Sequence, residues 1–235
     1  PAAPNLLPTQ GLENRIEFWK KVYTLYGADD IIIHDRARVN VIYDVATSAN
    51  LKEKIRSVGS ALRELRTGMD APESLSPLAQ QIYATIYANG LQASASLLDQ
   101  LSDGIHTQLG IKERFRDGVV RSGRYLETFR EVFRNAGLPE QLALLPMVES
   151  SFVNAKSSAG AVGFWQFTRG TGKLYMTVSN KVDERQDPIK STIAASRLLG
   201  DNYRALGAWP LAITAYNHGR GGMQRAKEAH GSELP

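Results

Sequence analysis

The sequence has 235 residues and no cysteine. This absence excludes disulfide bonds, iron–sulfur clusters, cysteine-ligated zinc and a cysteine nucleophile. An uncharged apolar run of about 18 residues is also absent, as is an N-terminal basic stretch followed by an apolar segment, so we expect a soluble chain. Four isolated histidines, His34, His106, His218 and His230, show no metal-ligand spacing, which predicts that the protein binds no metal.

The sequence also lacks a large excess of charge of one sign. Lys and Arg number 28 and Asp and Glu 24, which leaves a net charge of +4. A weakly basic balance suits an anionic polymer such as cell-wall glycan with acidic stem peptides, but no basic run interleaved with aromatics marks a nucleic-acid groove. We therefore expect no nucleic-acid partner. Apolar residues at 43% and charged residues at 22% are typical of soluble globular proteins and predict one or two folded domains.

The periodicity of apolar residues predicts a mainly α protein whose two halves differ. Residues 1–11 hold three prolines among small residues, which indicates a flexible lead-in. A β-branched run over Ile31–Val45 predicts two short strands. After Gly104 the periodicity is helical almost throughout. We predict a lead-in over 1–11, a mostly helical N-terminal accessory domain with a short β element over 12–105, and an all-helical domain over 106–235.

Capping residues and apolar stripes locate individual helices. Residues 12–26 form a predicted helix with Ile16, Trp19, Tyr23 and Tyr26 on its buried face. Asn50 is the expected N-cap of the next helix. In the second half, Asp187 followed by a proline opens a long helix that ends near Gly207.

Glu149 stands out among the carboxylates. It follows the apolar stretch LALLPMV, and residues 150–182 contain no Asp or Glu. An isolated carboxyl beside an apolar wall has a raised pKa, because burial disfavours its charged form, and it can then donate a proton near neutral pH. The alternative is an ordinary glutamate at a helix end that points to water.

Three ordered motifs resemble a known family. They are VESSF at Val148–Phe152, SSAGAVGFWQF at Ser157–Phe167 and AYNHG at Ala215–Gly219. Together they resemble the lytic transglycosylases of the soluble-lysozyme type, and most closely the membrane-bound murein transglycosylase D group. DERQDP at Asp183–Pro188 is similar to the family's Arg-x-Asp-Pro helix opening, so the resemblance covers about residues 137–228.

The resemblance implies a lysozyme-like helical catalytic domain that acts on peptidoglycan glycan strands without a cofactor. It makes Glu149 the single catalytic acid and base, and it places Gln166, Tyr216 and Asn217 along the cleft. For Tyr216 and Asn217, core packing and a helix C-cap are the alternatives.

The resemblance also implies a serine that bonds the N-acetyl group of muramic acid. The segment Ser157–Phe167, called the glycine motif below, begins one residue closer to Glu149 than in several relatives. Either Ser157 or Ser158 therefore fills this role. The family usually has a proline directly after the position of Asn154, and this sequence has Ala155 there. These departures concern the geometry of the loop and not the identity of the acid.

The glycine motif suggests further substrate contacts. Gly163 is expected to let the backbone approach the glycan closely. Phe164 is expected to offer an apolar face to a sugar ring, as are Trp165 and Phe167, for which core packing is the alternative.

The number of carboxylates bears on the reaction. Glycosidases usually need two, whereas here one lies near the motifs. A lone acid suffices if the N-acetyl oxygen of the substrate stabilises the cationic centre and the 6-hydroxyl of the sugar replaces water, which gives a 1,6-anhydro product. Asp183 and Glu184 are the nearest rivals, although their place at a helix opening favours a structural role. A catalytically silent glycan-binding or scaffold module and a hydrolytic muramidase are the alternative functions.

The resemblance also predicts where the protein acts. Peptidoglycan lies outside the cytoplasmic membrane, so we expect a periplasmic, cell-envelope protein. Segments outside this chain would supply a membrane anchor or an outer-membrane or cell-wall association. The chain stops at Pro235, where relatives tend to continue with a closing helix, as expected of a catalytic domain truncated at its C-terminus.

Overall fold

The computed structural model describes residues 9–230, so most of the predicted lead-in over 1–11 lies outside the described residues. The described chain divides into two compact units, one over Thr9–Arg116 and one from Asp117 onward. Helices dominate both units, and the prediction of a mainly α protein is confirmed. No helix within residues 9–230 combines the length and the apolar character that a membrane span requires.

The first unit packs helices on a small antiparallel sheet. Its strand order is β2-β1-β3. The elements in chain order are α1 (Glu13–Thr24), β1 (Ile31–Asp35), β2 (Ile42–Ala46), α2 (Leu51–Gly68), a 3₁₀ turn (Pro72–Ser74), α3 (Pro77–Ala88), α4 (Ala95–Asp103), β3 (Ile105–Leu109) and the start of α5 (Lys112–Ser122).

Strand β3 corrects the predicted domain boundary. It pairs antiparallel with β1, from Ile31 opposite Leu109 to Asp35 opposite Ile105. The expected cut between residues 105 and 106 therefore falls inside a strand of the first unit, and the compact units divide instead between Arg116 and Asp117. The region after Gly104, expected to be helical almost throughout, begins instead with the five residues of this strand.

The core of the first unit confirms one predicted stripe and corrects another. Val58, Leu62 and Leu65 of α2 are fully buried, as their spacing predicts. Helix α1, in contrast, buries Phe18 and Val22 against Ile32 of β1. Of the predicted buried face, Ile16 and Trp19 are 44% and 41% exposed, whereas Tyr23 and Tyr26 are partly buried. Asn50 is also not a side-chain N-cap, since its Oδ1 accepts a hydrogen bond from Thr47 N at 2.8 Å.

The second unit is helical. It contains the end of α5, then α6 (Leu126–Asn135), a 3₁₀ segment (Glu140–Leu144), α7 (Leu145–Glu149), α8 (Arg169–Tyr175), a 3₁₀ turn (Glu184–Gln186), α9 (Pro188–Leu206), α10 (Trp209–His218) and α11 (Arg220–His230). Helix α9 is central, because α6, α8, α10 and α11 all pack against it.

Helix α9 begins and ends where the sequence predicts. Asp187 Oδ1 accepts hydrogen bonds from the backbone N–H groups of Ile189 and Lys190, both at 2.9 Å. At the other end Gly207 adopts a left-handed conformation with φ 79°, which glycine tolerates without steric cost. The long central helix is therefore fixed at both ends by local sequence.

Candidate active site

Glu149 is the last residue of the short helix α7. The preceding 3₁₀ segment ends at Leu144, and Pro146 lies in the first turn of α7, where a missing N–H costs nothing. The Glu149 side chain is half-buried. Its burial raises its pKa, and a hydrogen bond from Asn217 Nδ2 to Glu149 Oε1 at 3.4 Å opposes that rise only in part. This environment favours a carboxyl that stays protonated closer to neutral pH.

The chain turns sharply directly after Glu149. Ser151 and Phe152 have φ of 53° and 54°, a conformation that costs free energy for residues other than glycine and must be held by its surroundings. Arg121 holds it by donating from Nε and Nη2 to the carbonyl oxygen of Ser151, at 3.1 and 2.9 Å. Ser150 Oγ lies 2.8 Å from the carbonyl oxygen of Phe164. These bonds fix the backbone on the C-terminal side of the carboxyl.

Gln166 lies in a second left-handed position, with φ 47°. Its Nε2 donates to the carbonyl oxygens of Gly163 at 2.7 Å and Ala155 at 3.1 Å. The Gln166 side chain thus connects the backbone at Ala155 and Gly163 within one loop.

Tyr216 and Asn217 lie on the last turn of α10. Tyr216 Oη donates to the carbonyl oxygen of Trp165 at 2.6 Å, and burial, then the nearby Glu149 charge, raises the Tyr216 pKa well above its usual value. Asn217 is exposed. Tyr216 and Asn217 line a cleft of about 100 Å³ with Gln166, Phe167, Thr168, Thr171 and Leu198. The fold therefore gathers Glu149, Gln166, Tyr216 and Asn217 at one place.

The two candidate serines lie on a turn that Gly160 shapes with φ 80°. Ser157 N donates to the carbonyl oxygen of Ala161 at 2.8 Å, and Ser157 Oγ accepts from Ala161 N at 3.0 Å. Ser158 is exposed. Ser157 is thus a structural member of the turn, and the choice between the two serines as a substrate contact stays a prediction.

The aromatic residues of the glycine motif belong to the core. Phe164, Trp165 and Phe167 are 5%, 0% and 2% exposed, and Trp165 Nε1 donates to Thr192 Oγ1 at 2.8 Å. The expectation that they present open faces to sugar rings is therefore corrected, since their rings pack among apolar neighbours such as Phe129.

Gly163 also has a different reason to be glycine. A Cβ at this position would lie 1.9 Å from the carbonyl oxygen of Arg185. The group that approaches closely is therefore protein backbone and not glycan.

Asp183 and Glu184 have the structural roles that their position predicts. Asp183 accepts hydrogen bonds from Arg185 Nε and Nη2 at 2.8 and 2.6 Å, and Glu184 accepts one from Lys190 Nζ at 2.6 Å. These bonds lower the pKa of both carboxyls. Arg185 is itself buried and also donates to the carbonyl oxygen of Phe167 at 3.1 Å. Arg185 thus connects the segment before α9 to the glycine motif.

Sequence reasoning missed several residues of the site. Arg121 and Leu198 carried no motif signal, because one acts through a backbone carbonyl and the other only lines the cleft. Thr168 was within reach of sequence reasoning, since its Oγ1 caps α8 by accepting from Thr171 N at 3.3 Å. Within residues 9–230 no three His, Asp or Glu side chains converge as a metal site would require.

A helical unit in which one half-buried glutamate lies beside an asparagine of another helix fits the lysozyme-like catalytic domain that the sequence motifs predict. Residues 129–234 match the transglycosylase SLT domain, so this part of the chain is similar to that family. The chain is 32% identical over 131 residues to the membrane-bound lytic murein transglycosylase D of Escherichia coli (strain K12), and equally to the protein of that name from Escherichia coli O6:H1 (strain CFT073). The matched region is 54% of this chain but only 29% of either relative.

Proposed function

We propose that the protein is a peptidoglycan lytic transglycosylase that cleaves the β-1,4 bond between N-acetylmuramic acid and N-acetylglucosamine. The observation that carries the proposal is the half-buried Glu149, with its raised pKa, beside Asn217 in a domain similar to the SLT family. No cofactor takes part in the proposed reaction. We place the enzyme in the cell envelope, where its substrate lies.

In the proposed reaction Glu149 acts twice. As an acid it gives its proton to the glycosidic oxygen while the bond from that oxygen to C1 of muramic acid breaks. The N-acetyl oxygen of the substrate stabilises the cationic C1. As a base, Glu149 then takes the proton of the 6-hydroxyl, whose oxygen bonds to C1 and closes a 1,6-anhydro ring. The tethered hydroxyl has an advantage over water, because it is already held beside the reacting carbon.

The geometry of the other acids supports this route over hydrolysis. Hydrolysis by inversion needs a second carboxylate to activate water on the opposite face of the sugar. The nearest acids in sequence on either side are paired with cations: Glu140 with Arg134, Asp183 with Arg185 and Glu184 with Lys190.

Mass spectrometry of digested sacculi tests the product. We expect muropeptides that end in anhydromuramic acid, each lighter by one water than the corresponding hydrolysed product. A digest dominated by reducing-end muramic acid would identify a muramidase and contradict the single-carboxylate mechanism. Binding of sacculi without any release of muropeptides would identify a silent glycan-binding module.

Asn217 supplies a prediction about pH. Its hydrogen bond stabilises the charged form of Glu149 and so lowers the pKa of that carboxyl. In Asn217→Ala the Glu149 pKa should rise, so the protonated acid persists to higher pH. We expect the alkaline limb of the pH–rate profile for sacculus digestion to move to higher pH, whatever happens to the maximal rate. Asn135→Ala, a loss of an exposed amide on α6, is the control and should leave the limb in place; a limb that moves to lower pH in Asn217→Ala would contradict the assignment.

A further inference from the structure

The first unit contains a cavity that the proposed reaction does not use. It has a volume of about 210 Å³. Its polar wall comes from the start of α1, the loop between β1 and β2, and the end of α3. We call it the asparagine pocket and define it by Asn14, Arg15, Arg38, Asn40 and Asn89.

Three asparagines from these three elements converge on one another. Asn40 Nδ2 donates to Asn14 Oδ1 at 3.0 Å, and Asn89 Nδ2 donates to the carbonyl oxygen of Asn40 at 3.4 Å. Asn40 Oδ1 is buried and has no hydrogen-bond donor within residues 9–230. Buried acceptors are normally satisfied. Asn89 Nδ2 also donates to the carbonyl oxygen of Thr85 at 2.8 Å, so the acceptor of Asn40 is the group of this cluster that a ligand donor can satisfy.

The charge of the pocket is positive. Arg15 is exposed and makes no ion pair with any described residue. Arg38 donates from Nη2 to Gln100 Oε1 at 2.8 Å, and its Nη1 lies 3.8 Å from the buried Asp35 Oδ1, so its charge is compensated in part. No carboxylate lines the pocket.

The first turn of α1 adds to the positive electrostatic potential of the pocket. The helix begins at Glu13 without a side-chain N-cap among the described residues, and both Asn14 and Arg15 belong to that turn. Free N–H groups at a helix N-terminus attract anions. The only nearby carboxylate of the turn, that of Glu13, accepts from Gly11 N at 3.2 Å.

We propose that the asparagine pocket binds a small carboxylate-bearing ligand, with Arg15 holding the carboxylate and the asparagine amides bonding adjacent polar groups. The volume of about 210 Å³ suits a single small group. The choice of a muramyl peptide as the probe rests on the proposed function, because its peptide ends in a carboxylate next to amides. The pocket itself is defined by residues of the first unit alone.

Amide chemical shifts of the ¹⁵N-labelled full chain test this inference, with muramyl dipeptide, N-acetylglucosamine and inorganic phosphate as separate probes. We expect muramyl dipeptide to shift the amides of residues 11–15, 37–41 and 89–91. Arg15→Gln should weaken that binding about tenfold or more, as expected for the loss of a charge-assisted hydrogen bond. Arg56→Gln removes the same charge from an exposed position on α2 outside the pocket and should leave the affinity unchanged.

The inference would be overturned by an absence of shifts at the pocket, by equal shifts with the neutral sugar, or by phosphate binding as tight as that of the dipeptide. Equal weakening in Arg15→Gln and Arg56→Gln would also overturn it, because the effect would then be one of net charge. Digestion of sacculi is measured separately. A chain that shows pocket binding but releases no muropeptides would contradict the proposed function and leave the pocket assignment intact.

Discussion

Glu149→Gln is expected to lower the rate of muropeptide release by a factor on the order of 10² to 10⁴ or more, the range that general acid–base catalysis contributes. The amide keeps the shape of the side chain but can neither give a proton to the glycosidic oxygen nor take one from the 6-hydroxyl. Asn217 can still donate to the remaining carbonyl oxygen, so the cleft should keep its geometry. Affinity for glycan strands should therefore persist while turnover is lost.

The control for this experiment is Glu131→Gln. Glu131 is an exposed acid on α6, so the substitution makes the same chemical change on the same unit away from the cleft. It should digest sacculi at the rate of the unaltered chain. If Glu149→Gln releases muropeptides at a comparable rate, Glu149 is not the acid. If Glu149→Gln loses glycan binding together with turnover, the loss is one of structure and the conservative variant has failed as a test.

Much of the candidate site could be predicted because its signals are local. The isolation of Glu149 from other acids over residues 150–182 is visible in the sequence. The cap of α9 at Asp187 and its end at Gly207 follow from side-chain and backbone chemistry within a few residues. The apolar stretch before Glu149 accounts for its burial only in part, since Leu144 and Val148 of that stretch are 42% and 63% exposed.

What could not be predicted depends on distant neighbours. Helix α1 carries apolar residues on more than one face, and only contact with Ile32 of β1 decides that Phe18 and Val22 are buried. Strand β3 has five residues, and its partner β1 lies some 70 positions earlier in the chain. No pattern within such a short segment separates it from a helix end.

Gly163 provides a second large effect, on stability. Gly163→Ala should destabilise the second unit by about 3 kcal/mol or more, the range of substitutions that force a steric conflict in a buried backbone. Two costs combine. The residue has φ 85°, and the new Cβ would meet the Arg185 carbonyl oxygen at 1.9 Å. This oxygen is backbone, so relief requires the glycine motif and the turn before α9 to separate. Hydrogen-exchange protection of α9, which reports on this unit alone, should fall accordingly.

Gly160 is the matched control, because it is a left-handed glycine of the same loop without the steric conflict of Gly163. Its φ of 80° is nearly the same, but a Cβ there would meet no heavy atom within 4 Å. Gly160→Ala therefore bears only the left-handed backbone cost of about 1–2 kcal/mol. The difference between the two variants isolates the contact with Arg185 from backbone strain. Equal loss of protection in both would mean that the loop relaxes around the new methyl group, and that Arg185 does not hold the glycine motif in the way its hydrogen bond to Phe167 indicates.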